Sequence, residues 1–158
     1  MRIDEALRAN STETVALAEG FVRAHPDNVD GWIFLSRAHQ VRGNFGPMMD
    51  AAKSALAADP KHALARALMV DALYRNGEMD NAYALARQIE AERKFDPNIL
   101  LELATFYGQA NNFAQAARLL ERVRVLQPTN AKALQSLAAA YAALGDLEKT
   151  EAMVDQLL

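Results

Sequence analysis

The chain has no cysteine. No disulfide can brace it, no thiolate can act as a nucleophile, and no sulfur-ligated metal site can form. Glycine and proline are scarce, at 7 and 5 of 158 residues, which excludes collagen-like and low-complexity chains. No apolar run approaches the roughly 18 residues that a membrane-spanning helix needs. The stretch Met1–Asn10 carries Arg2, Asp4, Glu5 and Arg8 and lacks the apolar centre of a secretory signal. A cytoplasmic location is therefore expected, or a periplasmic one if the chain is a piece of an exported protein. Basic residues are not in excess either. With 17 Lys and Arg against 20 Asp and Glu, the net charge is −3, so the chain has no electropositive footprint for a phosphate backbone. Nucleic acid is not an expected partner.

What is present points to helices. Hydrophobic residues make up 51% and charged residues 23%, enough apolar side chain to build a core and too little charge for a disordered chain. Alanine, leucine, glutamate, arginine and glutamine dominate, all strong helix formers. β-branched residues are sparse, and no stretch alternates apolar and polar as a half-buried strand does. The expected fold class is all-α.

Self-similarity then sets the organisation. Gly43, Gly77, Asn111 and Gly145 follow one another at intervals of 34 residues. In the same register, Leu35, Met69, Leu103 and Leu137 fall eight residues before these positions, and His39, Leu73, Tyr107 and Tyr141 four before. Phe45, Met79, Phe113 and Leu147 fall two after. Pro26, Pro60 and Pro128 share the spacing, with Lys94 the one lapse. Glycine or asparagine suits a residue that ends a helix with positive φ, and proline stops a helix. Asp80 and Asp146 are candidate N-caps, and Gly46-Pro47 reads as an N-cap followed by a first helical residue. Complete units are expected at 29–62, 63–96 and 97–130, with a last one at 131–158. The segment 1–28 supplies mainly the second helix of a partial unit, Ser11–Ala24, capped by Asn10 and preceded by a stump at Ile3–Ala9.

The first complete unit reads Trp32, Leu35, Ser36, His39, Gly43, Phe45, Ala52, Ala55 and Pro60; the third reads Leu100, Leu103, Ala104, Tyr107, Phe113, Ala116 and Pro128. This pattern resembles the tetratricopeptide repeat of bacterial type. The resemblance implies a right-handed superhelical solenoid of antiparallel helix pairs, whose first helices line a concave face. Small residues such as Ala82, Ala104, Ala116 and Ala138 would let helices approach closely, with Leu103, Tyr107, Leu137 and Tyr141 filling the spaces between. The chain ends inside a second helix with no polar capping helix after it, which suggests a segment of a longer protein or an end open to self-association.

The resemblance also implies a role, that of a protein–protein interaction module, adaptor or scaffold, without catalysis or cofactor. Residues at fixed offsets on the first helices would form the groove: Ile33, Phe34 and Arg37; Leu64, Leu68, Asp71, Tyr74 and Arg75; Leu101 and Glu102. An amphipathic helix or an extended peptide would bury the apolar band, with the charges setting register. A family member that clamps a terminal carboxylate needs Lys, Asn and Arg at set positions. Here those positions hold Ile33, Arg37, Leu68, Asn98 and Glu102, or, one unit later, Ala67, Asp71, Glu102, Lys132 and Ser136. None of the first set matches its position by type and only Lys132 of the second does, and Glu102 would repel a carboxylate, so that ligand class is excluded. The stretch Val29–Arg37 is similar to repeat modules of cytochrome c maturation factors, and comparable repeats precede catalytic domains in bacterial sulfotransferases. An accessory region of such a protein is the alternative role.

Other signals read as structural. His25, His39 and His62 have no metal-binding spacing, and His39 stands where the family prefers tyrosine, in a hydrogen-bonded packing role. Arg42–Gly46 lacks the Lys-Ser/Thr ending of a phosphate loop. Asn10-Ser11-Thr12 matches a glycosylation sequon but reads as a helix cap. Met48, Met49, Met69 and Met79 are expected as core fillers, and Glu90 and Glu92 on a solvated helix end.

Overall fold

The computed structural model describes residues 12–157. The expected stump at Ile3–Ala9, and Asn10 and Ser11 with their capping role, lie outside the described residues. Among the described residues every regular element is a helix: α1 (Thr12–Ala24), α2 (Val29–Val41), α3 (Phe45–Ala58), α4 (Ala63–Arg75), α5 (Met79–Glu92), α6 (Pro97–Gln109), α7 (Phe113–Leu126), α8 (Ala131–Ala143) and α9 (Leu147–Asp155).

The helices begin and end for repeated local reasons. The residues just before α2, α4, α6 and α8 are Asn28, His62, Asp96 and Asn130, and each side chain accepts from a backbone N–H of the first turn. The distances to the N–H three residues on are 2.7, 3.4, 3.2 and 3.0 Å. Each such cap satisfies a donor that the helix itself cannot, worth about 1 kcal/mol. At the other end, Gly43, Gly77, Asn111 and Gly145 have φ of 72, 84, 57 and 77°. The amide after each donates back to the residue five earlier: Asn44 to His39, Glu78 to Leu73, Asn112 to Tyr107 and Asp146 to Tyr141, at 2.8–3.0 Å. All four turns are thus the same left-handed helix stop, which closes the last carbonyls of one helix and aims the chain into the next.

Two expected caps move. Asp146 does cap α9, accepting from Lys149 N at 3.2 Å. Asp80, however, lies inside the first turn of α5, where a negative charge complements the helix dipole instead. Asn44 precedes α3, so Gly46 and Pro47 sit within its first turn. Proline is tolerated there because the N–H it lacks would have had no intrahelical partner.

The chain forms two compact units, residues 1–87 and 88–158, and the boundary falls within α5. In the first unit α1 packs on α2, α2 on α3 and α3 on α4, with α2 also touching α4. Its core is Ile33, Met48, Ala52, Ala55, Ala65, Leu68, Met69 and Ala72, flanked by Trp32, Phe45 and Leu73. A second cluster, Ala18, Val22, Leu35 and Ala51, joins α1 to α2 and α3. Gly31 sits where α1 comes closest, and a Cβ there would lie 2.8 Å from the Phe21 ring. Trp32 donates its Nε1–H to the Pro26 carbonyl at 2.6 Å, and Ser36 its hydroxyl to the Met48 carbonyl at 3.0 Å.

In the second unit α6 packs on α7, α7 on α8 and α8 on α9, and α6 touches α8. Leu100, Leu103, Leu119, Val123 and Leu137 are fully buried, and Tyr107 and Tyr141 are buried beside them. Of the four methionines expected in the core, Met48, Met49 and Met69 are there. Met79 is half exposed, because it opens α5 at the rim of its unit instead of facing inward.

Candidate interaction faces

The residues expected to line the groove divide by depth. On α2 and α4, Phe34, Arg37, Leu64 and Tyr74 are half-buried and Arg75 is exposed. Ile33 and Leu68, by contrast, are buried at 6% and 1% exposure and belong to the core of their unit. Neither offers surface to a ligand, because both pack in one cluster with Met48, Ala52 and Ala55 of α3. Asp71 is buried as well, at 6%. Its carboxylate accepts from Gln40 Nε2 at 2.7 Å and from Arg75 Nε at 3.2 Å, so it ties α2 to α4. A buried carboxylate needs such partners to repay its desolvation. Arg75 also lies over the Phe45 ring, 5.0 Å from its centroid. In the second unit Leu101 and Glu102 are half-buried on α6.

His39 is buried at 7%, and its Nδ1 has no hydrogen-bond partner, so the packing half of its expected role holds and the hydrogen bond at that atom does not. Burial lowers its pKa below 6.5; Glu19 works against that shift and Arg42 adds to it. Tyr141, the corresponding residue of the last unit, does find a partner, donating to Glu121 Oε1 at 2.8 Å. Burial first, and then this bond to a carboxylate, push its pKa up to about 12.

Glu90 is not on a solvated helix end. Its side chain keeps only 15% exposure and accepts from Arg118 at 2.5 Å, Arg122 at 2.9 Å and Gln115 at 3.2 Å. The sequence pattern gave no sign of this, since the partners come from α7, more than twenty residues away. Arg122 also donates to the Lys94 carbonyl, which pins the α5–α6 loop. Among the described residues no cluster of three or more His, Asp or Glu could hold a metal ion, and no helix is long and apolar enough to cross a membrane.

A family model described as Psidin, N-terminal TPR repeats region, matches residues 42–157. The chain belongs to the tetratricopeptide-repeat family. Solved TPR structures share its fold. A thermophilic TPR protein of Thermus thermophilus, TTC0263, superposes with a TM-score of 0.78 at 16% identity, covering 99% of this chain and 90% of that one. Cut9, from the APC/C hetero-tetramer Cut9–Hcn1, gives 0.75 at 14% identity, over 98% of this chain and 30% of that one. MamA of Desulfovibrio magneticus RS-1 gives 0.67 at 15% identity, over 98% and 88%. No curated protein sequence matches the chain. At these identities the likeness is one of fold. TPR folds are in general protein-interaction modules and typically non-catalytic scaffolds.

Proposed function

We propose that the chain binds a protein segment, an amphipathic helix or extended peptide, on the faces of its first helices, and serves as an adaptor or scaffold. In this reading residues 29–62, 63–96 and 97–130 are complete repeats and 131–158 is the last. The observation that carries it is the pair of apolar side chains left part-exposed on the first helices. Phe34 on α2 and Leu64 on α4 remain half-exposed, the first beside the cluster that joins α1 to α2 and α3 and the second beside the core of the unit, although neighbouring apolar positions are buried, and Arg37, Tyr74 and Arg75 lie further along the same helices. Asp71, which accepts from Gln40 and Arg75, ties α2 to α4, and helices fixed in advance lower the ordering cost of binding. Leu101 and Glu102 on α6 extend the same use to the second unit.

Photo-cross-linking in cells tests the reading. A photoreactive residue in place of Phe34, Leu64 or Leu101 is expected to yield defined protein adducts, whereas one in place of the exposed Lys53 on α3 yields none. Equal adducts from Lys53, or none from the inner positions, would remove the proposal.

A further inference from the structure

Nine asparagines occur in the chain, and only Asn76 is followed by glycine. The pair closes α4: Asn76 follows its last helical residue, and Gly77 takes the left-handed φ of 84°. At the same place in the other turns stand Arg42-Gly43, Ala110-Asn111 and Leu144-Gly145, so the combination is particular to this turn. Asparagine before glycine carries a chemistry of its own. The backbone nitrogen of the second residue can attack the side-chain amide carbon of the first, and glycine, without a Cβ, leaves that approach open. Both residues are exposed, so water reaches them.

The folded turn holds the reacting atoms apart. The ring that would form contains Cα, Cβ, Cγ and the carbonyl carbon of Asn76 together with the Gly77 nitrogen, so Cβ and that nitrogen must eclipse each other about the Cα–C bond. At ψ of 7° the Gly77 nitrogen instead eclipses the backbone nitrogen of Asn76, and Cβ stands well to one side. The attacking nitrogen must also lose its proton, which it donates to the Tyr74 carbonyl at 3.0 Å. The leaving group is held as well. Asn76 Nδ2 donates to the Ala72 carbonyl at 2.8 Å and, across to the start of α3, to the Phe45 carbonyl at 3.3 Å. Reaction therefore requires local opening, in which ψ of Asn76 turns and these bonds break together with that of the Glu78 amide to the Leu73 carbonyl.

From this geometry we infer that Asn76 is a deamidation site gated by the α4–α5 turn, so that the modification marks each chain in which the turn has opened. The Gly77 nitrogen bonds to Asn76 Cγ and the Cγ–Nδ2 bond breaks; Nδ2 takes up the proton shed by the Gly77 nitrogen and leaves as ammonia. Water then opens the succinimide. Cleavage between Cγ and the ring nitrogen gives aspartate, and cleavage between the main-chain carbonyl carbon and that nitrogen gives isoaspartate. Neither product rebuilds the turn as it was. A carboxylate has no hydrogen to donate to the Ala72 and Phe45 carbonyls, and its charge sits at the negative end of α4. Isoaspartate also adds a carbon to the main chain inside the left-handed stop. The inference needs only this turn and does not rest on the binding reading.

Peptide mapping by mass spectrometry provides the test. The full chain is aged in mildly alkaline buffer, with and without unfolding urea, and digested in acid, where ring closure stalls. In urea the amide-to-acid mass gain at Asn76 is expected to outpace that at Asn81, which precedes alanine. In buffer the gain at Asn76 should be slower by at least about tenfold, equivalent to about 1.4 kcal/mol of opening. Leu68→Ala loosens the core of the unit and leaves the Asn-Gly pair untouched, so it should raise the rate in buffer and leave the rate in urea unchanged. The effect of the product is read separately: N76D should lower the urea midpoint further than N76A, which loses the same donor without gaining charge. Equal rates at Asn76 in buffer and urea would show that the turn does not gate the site. A rate in urea no higher than at Asn81, an L68A chain that ages like the wild type in buffer, or an N76D chain as stable as N76A overturns the inference too.

Discussion

His39 shows how much a single position can depend on its neighbours. In the last repeat the corresponding tyrosine reaches Glu121, whereas His39 keeps an unpartnered Nδ1 in the interior. Its pKa is lowered by burial, so between the folded value and 6.5 the unfolded chain holds more protons than the folded one. Stability contributed at this site is therefore constant above 6.5 and falls as the pH drops through that window. Replacing His39 with leucine, the residue that Leu73 supplies one repeat later, should add about 1 kcal/mol at pH 7 and flatten the acid limb. Urea midpoints at pH 7 and pH 5 check this, and parallel losses in variant and wild type would contradict it. Depth also separates residues that share a helix face. Leu68→Ser should cost about 3–5 kcal/mol, a core cavity with a polar atom in it, and Phe34→Ser clearly less. Periodicity assigned Ile33, Leu68 and Asp71 to an open groove, and the structure buries all three. It could not reveal that the adjoining helix covers them, because depth depends on two helices and an offset describes one.

At the scale of the element, the turns were legible and part of the capping was not. Glycine or asparagine at a fixed interval announces a left-handed stop, and all four such residues adopt it. The caps Asn28, His62, Asp96 and Asn130 share their interval equally well, but three different side chains perform the same acceptance, so residue identity hid the repetition. The turn residues provide a matched pair of predictions. Asn111→Gly should stabilise by about 0.5–1 kcal/mol, since glycine reaches φ of 57° without steric cost, and Gly43→Ala should destabilise by about 1 kcal/mol or more. Thermal unfolding of both variants would settle the signs. Equal shifts in the same direction would show that something other than the left-handed backbone controls these turns.

For the whole molecule, the all-α fold and its period were readable because every repeat restates them. The Glu90–Arg118–Arg122 cluster was not, because it joins residues that no local pattern connects. Within each unit the described helices pack on near neighbours in sequence, and such a stack opens locally. Leu103→Ala, at a fully buried position, should cost about 3–4 kcal/mol. Amide exchange should quicken first in α6, α7 and α8 while α1, α2 and α3 keep their protection. A uniform loss along the chain would mean that the two units unfold as one.

The four identical turns have an evolutionary corollary. Each closes one helix and aims the next with the same backbone geometry, so any two of them are interchangeable as splice points. A gene coding for this chain can gain or shed a whole 34-residue unit between two such turns and leave every remaining helix with its own stop and its own start. A gain or loss of any other length would leave a helix without one of them.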